Sequence, residues 1–129
     1  MLNVLAICIG ACVGALARWR LGLWLNNPGG ALPWGTLAAN LVGGYLVGIC
    51  VAVFHAMPQL DPLWRLALVT GFLGALTTFS SFSAEVVGML MAQRYLTALG
   101  TTALHLLGSL CLTVLGMQTA SYWIASRAG

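Results

Sequence analysis

Phe79 and Phe82 stand three residues apart in the run Thr77-Thr78-Phe79-Ser80-Ser81-Phe82-Ser83. A helix through this run puts both rings on one face, and Glu85 extends the same stripe by another turn. Five of the seven residues carry hydroxyls. A phenyl ring has a positive edge and a negative face. Ring edges therefore attract a small anion without supplying the full charge that would trap it. The hydroxyls donate hydrogen bonds in place of lost water. Two phenylalanines in a membrane helix also serve simply to pack or to face lipid. The hydroxyls interleaved with them are what favour an anion.

Other polar groups recur at helical spacing. Thr36, Asn40, Gly44 and Gly48 form one small or polar stripe. A buried asparagine within lipid must face a bundle interior, and its amide offers two donors. The plainer role is an interhelical hydrogen bond. Thr101, His105, Ser109 and Thr113 form a second stripe, for which helix–helix hydrogen bonding is again the plainer role. Metal ligation would require His105 to meet His55, which lies at the end of its own span. Of the two carboxylates, Asp61 reads as a loop cap and Glu85 as the one functional candidate. Arg18, near a span end, either raises the local anion concentration at a pore mouth or snorkels to headgroups. Cys8, Cys12, Cys50 and Cys111 contain no CxxC pair and read as small packing residues.

These groups need elements that hold them inside a membrane. The chain has 129 residues, 60% hydrophobic and 5% charged, against about 25% charged in a soluble domain. Four apolar stretches, about 2–25, 33–56, 62–92 and 95–125, are each long enough to cross a bilayer as a helix. They form one domain and leave no stretch for a soluble one. Trp19, Trp24, Trp34, Trp64 and Trp123 fall near span ends, at headgroup level. Pro33 fits the first turn of the second helix, and Asp61-Pro62 an N-cap with proline behind it. The arginines of the first span follow the apolar run, unlike those of a cleaved signal peptide. The net charge of +3 is too scattered for nucleic acid.

Gly10-x-x-x-Gly14 and Gly44-x-x-x-Gly48 predict close helix contact. Gly71 and Gly74 suggest that the third helix breaks near its middle. A helix end there leaves carbonyls without donors, and its partial negative charge suits a cation. A hydrogen-bonded kink accounts for the same glycines. With the N-terminus on side one, Arg18, Arg20 and Arg94 lie toward side two, and Arg65 and Arg127 toward side one. So even a balance gives the positive-inside rule no vote. Copies can then insert both ways and pair about an axis in the membrane plane. The expected architecture is an all-α membrane protein of four transmembrane helices in an antiparallel, dual-topology homodimer.

With these residues assembled, the chain resembles the small bacterial fluoride channels of the CrcB or Fluc family. The most specific part is Thr70-Gly71-Phe72-Leu73-Gly74-Ala75-Leu76-Thr77-Thr78-Phe79-Ser80-Ser81-Phe82-Ser83-Ala84-Glu85. It is joined by Gly35-Thr36-Leu37-Ala38-Ala39-Asn40-Leu41-Val42-Gly43 and Gly14-Ala15-Leu16-Ala17-Arg18. The resemblance implies a multi-pass protein of the bacterial inner membrane. It would export cytoplasmic fluoride passively through two antiparallel pores of a homodimer embedded in lipid. It implies that Phe79 and Phe82 line the path with their ring edges and that Asn40 donates to the ion. Ser81, Ser109 and Thr36 would share the path, with Arg18 and Glu85 at its vestibule. Carbonyls of Gly74 and Thr77 from both copies would hold a structural sodium ion. Ser81 stands where threonine is common in that family. Thr101 and His105 stand where serine or tyrosine occurs, which leaves the path on the fourth-helix side open. A small multidrug or guanidinium-type proton-coupled exporter is the main alternative, but it needs a carboxylate in the first span, which has none. A non-transporting assembly subunit would have no use for the Phe79–Phe82 row. No nucleophile–base pair or nucleotide loop points to an enzyme.

Overall fold

The computed structural model describes residues 1–27 and 29–128; the placement of Pro28 and Gly129 lies outside it. All regular structure among the described residues is helical. The first helix, α1, spans Leu2–Leu25 and the second, α2, Trp34–Ala56. The third span is composite. A short α3 (Pro62–Arg65) runs into a π-helical segment (Leu66–Leu73) and then α4 (Gly74–Leu76). After two non-helical residues comes α5 (Phe79–Met91). The last helix, α6, spans Tyr95–Ala128. Four stretches are long and apolar enough to cross a membrane: Leu2–Leu25, Trp34–Ala56, Pro62–Met91 and Tyr95–Arg127. The first, second and fourth run as unbroken helices that close their backbone hydrogen bonds within themselves, as a span in hydrocarbon must, whereas the third is interrupted.

Local chemistry sets the ends. Asp61 accepts from Leu63 N–H at 2.9 Å, with Pro62 behind it at the first helical position. Pro33 sits one residue outside α2, as its N-cap, rather than in the first turn. Between α5 and α6, Gln93 takes a left-handed φ of 57°. Arg94 N–H bonds Met89 O and Gln93 N–H bonds Leu90 O, a C-terminal motif that reverses the chain within three residues. At about 1.5 Å per residue, α6 is about 50 Å long. That exceeds a hydrocarbon core of about 30 Å, so α6 tilts or emerges. The Arg127 guanidinium lies 4.1 Å from the Trp123 ring centroid near its end.

Two helix pairs carry most of the packing: α2 on α6, and α1 on the π segment. Both use the spaced glycines. A Cβ on Gly10 or Gly14 would collide with Ala67 O or Phe72 O of the π segment. One on Gly48 would collide with Thr113 O of α6. These glycines therefore join helices of the same chain, and they let backbones approach where a methyl would hold them apart. The buried apolar centre is small, built on Ala39, Leu73 and Leu76. Most large apolar side chains face outward, as they should when the surroundings are hydrocarbon.

The interruption of the third span lies at Thr77 and Thr78, three residues beyond the expected position. Gly74 is helical, at φ −62° and ψ −31°. Thr77 (ψ 153°) and Thr78 (φ −151°, ψ 117°) are extended. A glycine weakens a helix but does not end it. The helix ends where side-chain oxygens stand ready to take the freed N–H groups.

Candidate functional site

The break is held by α2. Thr78 N–H donates to Asn40 Oδ1 at 2.7 Å, and Asn40 Nδ2 donates to Thr78 O at 3.0 Å. The asparagine amide thus pairs with Thr78 as a neighbouring peptide group would in a sheet. Asn40 Nδ2 also contacts His105 Nδ1 of α6 at 3.1 Å. Thr78 then caps α5: its Oγ1 accepts from Ser81 N–H at 3.1 Å and lies 3.1 Å from Ser81 Oγ. On the other side, Thr77 Oγ1 donates to Leu73 O at 2.8 Å.

These bonds decide which carbonyls lose their helical donors. In a continuous helix Thr78 N–H would serve Gly74 O, and Ser81 N–H would serve Thr77 O. Here the first goes to Asn40 and the second to Thr78 Oγ1.

The aromatic groups continue the row. The Phe79 and Phe82 centroids are 5.4 Å apart with planes at 59°, an edge-tilted pair. Phe82 meets the His105 ring at 4.6 Å and 33°. Phe79 is 78% exposed in the single chain, whereas His105 is 5% exposed. A cavity of about 650 Å³ gathers Asn40, Gly74, Thr77, Thr78, Phe79, Phe82, His105 and Ser109 on its wall, with Val47, Val69, Leu73, Leu106 and Leu110 around them. Its lining is mostly apolar with a few convergent polar groups, the ordinary make-up of a ligand site.

Thr36 and Glu85 pair with one another, Thr36 Oγ1 donating to Glu85 Oε1 at 2.5 Å. Glu85 Oε2 is buried without a partner among the described residues. Glu85 lines a second cavity of about 360 Å³, between the α1–α2 loop and the end of α5. Arg94 sits at its rim and donates to Ala31 O at 2.9 Å. Arg18 lines neither cavity, and its Nε is buried with no partner among the described residues. Ser81 is half-buried and engaged with Thr78.

The structure therefore brings Asn40, Phe79, Phe82, Ser109, Gly74 and Thr77 to one cavity, and Thr36 and Glu85 to each other. The contact of His105 with Asn40 and Phe82 is not legible in the sequence. The four-residue stripe on α6 marked His105 as inward-facing, but only packing of α6 on α2 says which partner it meets.

A family model described as "CrcB-like protein, Camphor Resistance (CrcB)" matches residues 5–117. The chain is 74% identical over 125 residues to a fluoride-specific ion channel FluC of Albidiferax ferrireducens, covering 97% of this chain and 95% of that one. It is 63% identical over 125 residues to the protein of the same name from Paracidovorax citrulli, covering 97% and 98%. With that of Bordetella petrii it shares 60% over 119 residues, covering 92% and 91%.

Proposed function

The chain belongs to the CrcB-like family, and from that membership and the site's geometry we propose that it is a fluoride-specific ion channel of the bacterial inner membrane. It carries cytoplasmic fluoride out passively and lowers its toxicity. It is a channel and not an enzyme. The observation that carries the reading is the row of tilted rings, Phe79 and Phe82, set beside Asn40 and the opened backbone of Thr78 on one cavity.

Fluoride is small and holds its water tightly, so a path must replace that water at each step. Ring edges of Phe79 and Phe82 meet it along one side. Hydroxyls of Ser81, Ser109 and Thr36 meet it along the others, and the Asn40 amide, bonded to Thr78, holds the polar wall between them. Glu85, held by Thr36, stands on the second cavity, and Arg18, although it lines neither cavity, adds positive charge toward the span end. The absence of any fixed positive charge in the Phe79–Phe82 row keeps residence short.

The working unit in this reading is an antiparallel homodimer in lipid. Phe79 is mostly exposed in the single chain on the same cavity that Gly74 and Thr77 line, so a second copy seated there would cover the ring and meet the break together. The near-even division of arginines between the two sides permits insertion both ways. A structural sodium ion fits the break. Gly74 O and Thr77 O are among the carbonyls that the break leaves without their helical donors, and carbonyl oxygens are the hard ligands such a cation takes. Two pairs from two copies would hold it, and the ion would supply positive charge at the dimer centre.

Purified protein in liposomes loaded with fluoride tests the reading, with chloride and guanidinium as comparisons. Fluoride release well above protein-free vesicles, without release of the other two, is the expected result. Fluoride retained as in empty membranes overturns it.

A further inference from the structure

We propose that His105 is a positioning residue for Asn40, and that it holds the Asn40 amide as a neutral ring protonated at Nε2. The argument starts at the backbone. Thr78 has one N–H and one C=O, and Asn40 faces both, Oδ1 to N–H and Nδ2 to C=O. Turning the amide over would set donor against donor and acceptor against acceptor. The orientation of Asn40 is therefore fixed by the break itself.

With Nδ2 so placed, its second hydrogen meets His105 Nδ1 at 3.1 Å. An NH₂ group only donates, so Nδ1 must accept. A neutral imidazole that accepts at Nδ1 carries its hydrogen at Nε2. Nε2 is buried with no partner among the described residues, and the ring lines the cavity beside Phe82. Both hydrogens of Asn40 are thus committed, to Thr78 O and to His105. The ring takes one of them at Nδ1 and keeps its own hydrogen at the buried Nε2.

A proton added at Nδ1 would set N–H against N–H. Asn40 would then have to leave Thr78 or the ring, and the break would lose its staple. The titratable groups on the elements packed against the ring are Tyr45, Cys50 and His55 of α2 and Glu85 of α5. Among the described residues none hydrogen-bonds to the imidazole, and Glu85 is held by Thr36. Cys111, on α6 itself, is exposed. No carboxylate is therefore placed to stabilise a charged ring.

The functional arm of the test rests on the fluoride-channel reading; the spectroscopic arm does not. In ¹⁵N spectra of the full-length protein near pH 8, His105 should show an unprotonated Nδ1 and a protonated Nε2, and Asn40→Ala should blur that preference. The opposite tautomer, or a spectrum indifferent to Asn40→Ala, would overturn the proposal even if the protein conducts. In planar bilayers, fluoride current is read from about pH 8 to about pH 5, the range in which imidazoles gain charge. Each protein is normalised to its own value at the upper limit. Wild-type current should fall severalfold toward acid. His105→Gln, which accepts and donates without titrating, should give a flat profile. His105→Leu, which can do neither, should conduct at least about tenfold less than the glutamine variant at every pH. Identical pH profiles in wild type and His105→Gln, or wild-type current in His105→Leu, would overturn the proposal.

Discussion

At the scale of single residues, the site depends on groups that each do two things. Asn40 both closes the gap left by the helix break and stands on the cavity wall. Asn40→Asp removes the two amide donors and adds a negative charge beside an anion path. The loss of one buried hydrogen bond partner costs about 1–3 kcal/mol, and about 1.4 kcal/mol corresponds to tenfold in rate. Fluoride flux in Asn40→Asp should fall by at least about tenfold; normal efflux from proteoliposomes would take Asn40 off the path. Phe79→Ile and Phe82→Ile keep bulk and apolar character but lose the ring edge. Both should cut flux while the protein still runs as a dimer on size exclusion, and unchanged flux in both would remove the rings from ion contact.

At the scale of elements, tight backbone contact orders the bundle. Gly48 lies against Thr113 O, and Gly14 against Phe72 O of the π segment. The obstacle in each case is main chain, which cannot swing aside as a side-chain tip can. Gly48→Ala and Gly14→Ala should each lower stability by about 1–3 kcal/mol, the usual scale of overpacking. A thermal-melt series in detergent would read this, with Gly88→Ala as the control. Gly88 has open space where a Cβ would stand. Equal melting of all three variants would mean that the helices do not approach this closely. Thr78→Val tests the cap of α5. It keeps the shape but loses the oxygen that Ser81 N–H bonds, at a cost of about 1 kcal/mol.

At the scale of the whole molecule, a single chain leaves Phe79 and an apolar cavity uncovered. An antiparallel partner would cover them and would bring the Gly74 and Thr77 carbonyls of two copies together. Gln59→Cys, at an exposed loop position, reads the orientation once Cys8, Cys12, Cys50 and Cys111 are replaced by serine. A membrane-impermeant maleimide applied from outside should label about half the copies if insertion is dual. Labelling of all copies or of none would rule out the antiparallel dimer. If a structural sodium ion joins two copies, replacing sodium with a larger cation should weaken a dimer on size exclusion without any sodium current; a sodium current would make the ion a permeant one.

The sequence by itself determined the four membrane-capable helices, the tightness of the glycine faces and the aromatic–hydroxyl row. Each of these is local. A span in lipid must satisfy its own backbone, and residues three or four apart on a helix share a face whatever surrounds them. The place of the break was not local. By propensity Gly71 and Gly74 are the weak point, yet the helix runs through Gly74 and opens at Thr77 and Thr78. What opened it was an amide 38 residues away, offering Thr78 an acceptor and a donor as good as the helix could give. The meeting of His105 with Asn40, 65 residues apart, was likewise decided only by how α6 lies on α2. Periodicity says which face of a helix turns inward; it does not say which rung of the neighbouring helix that face will meet.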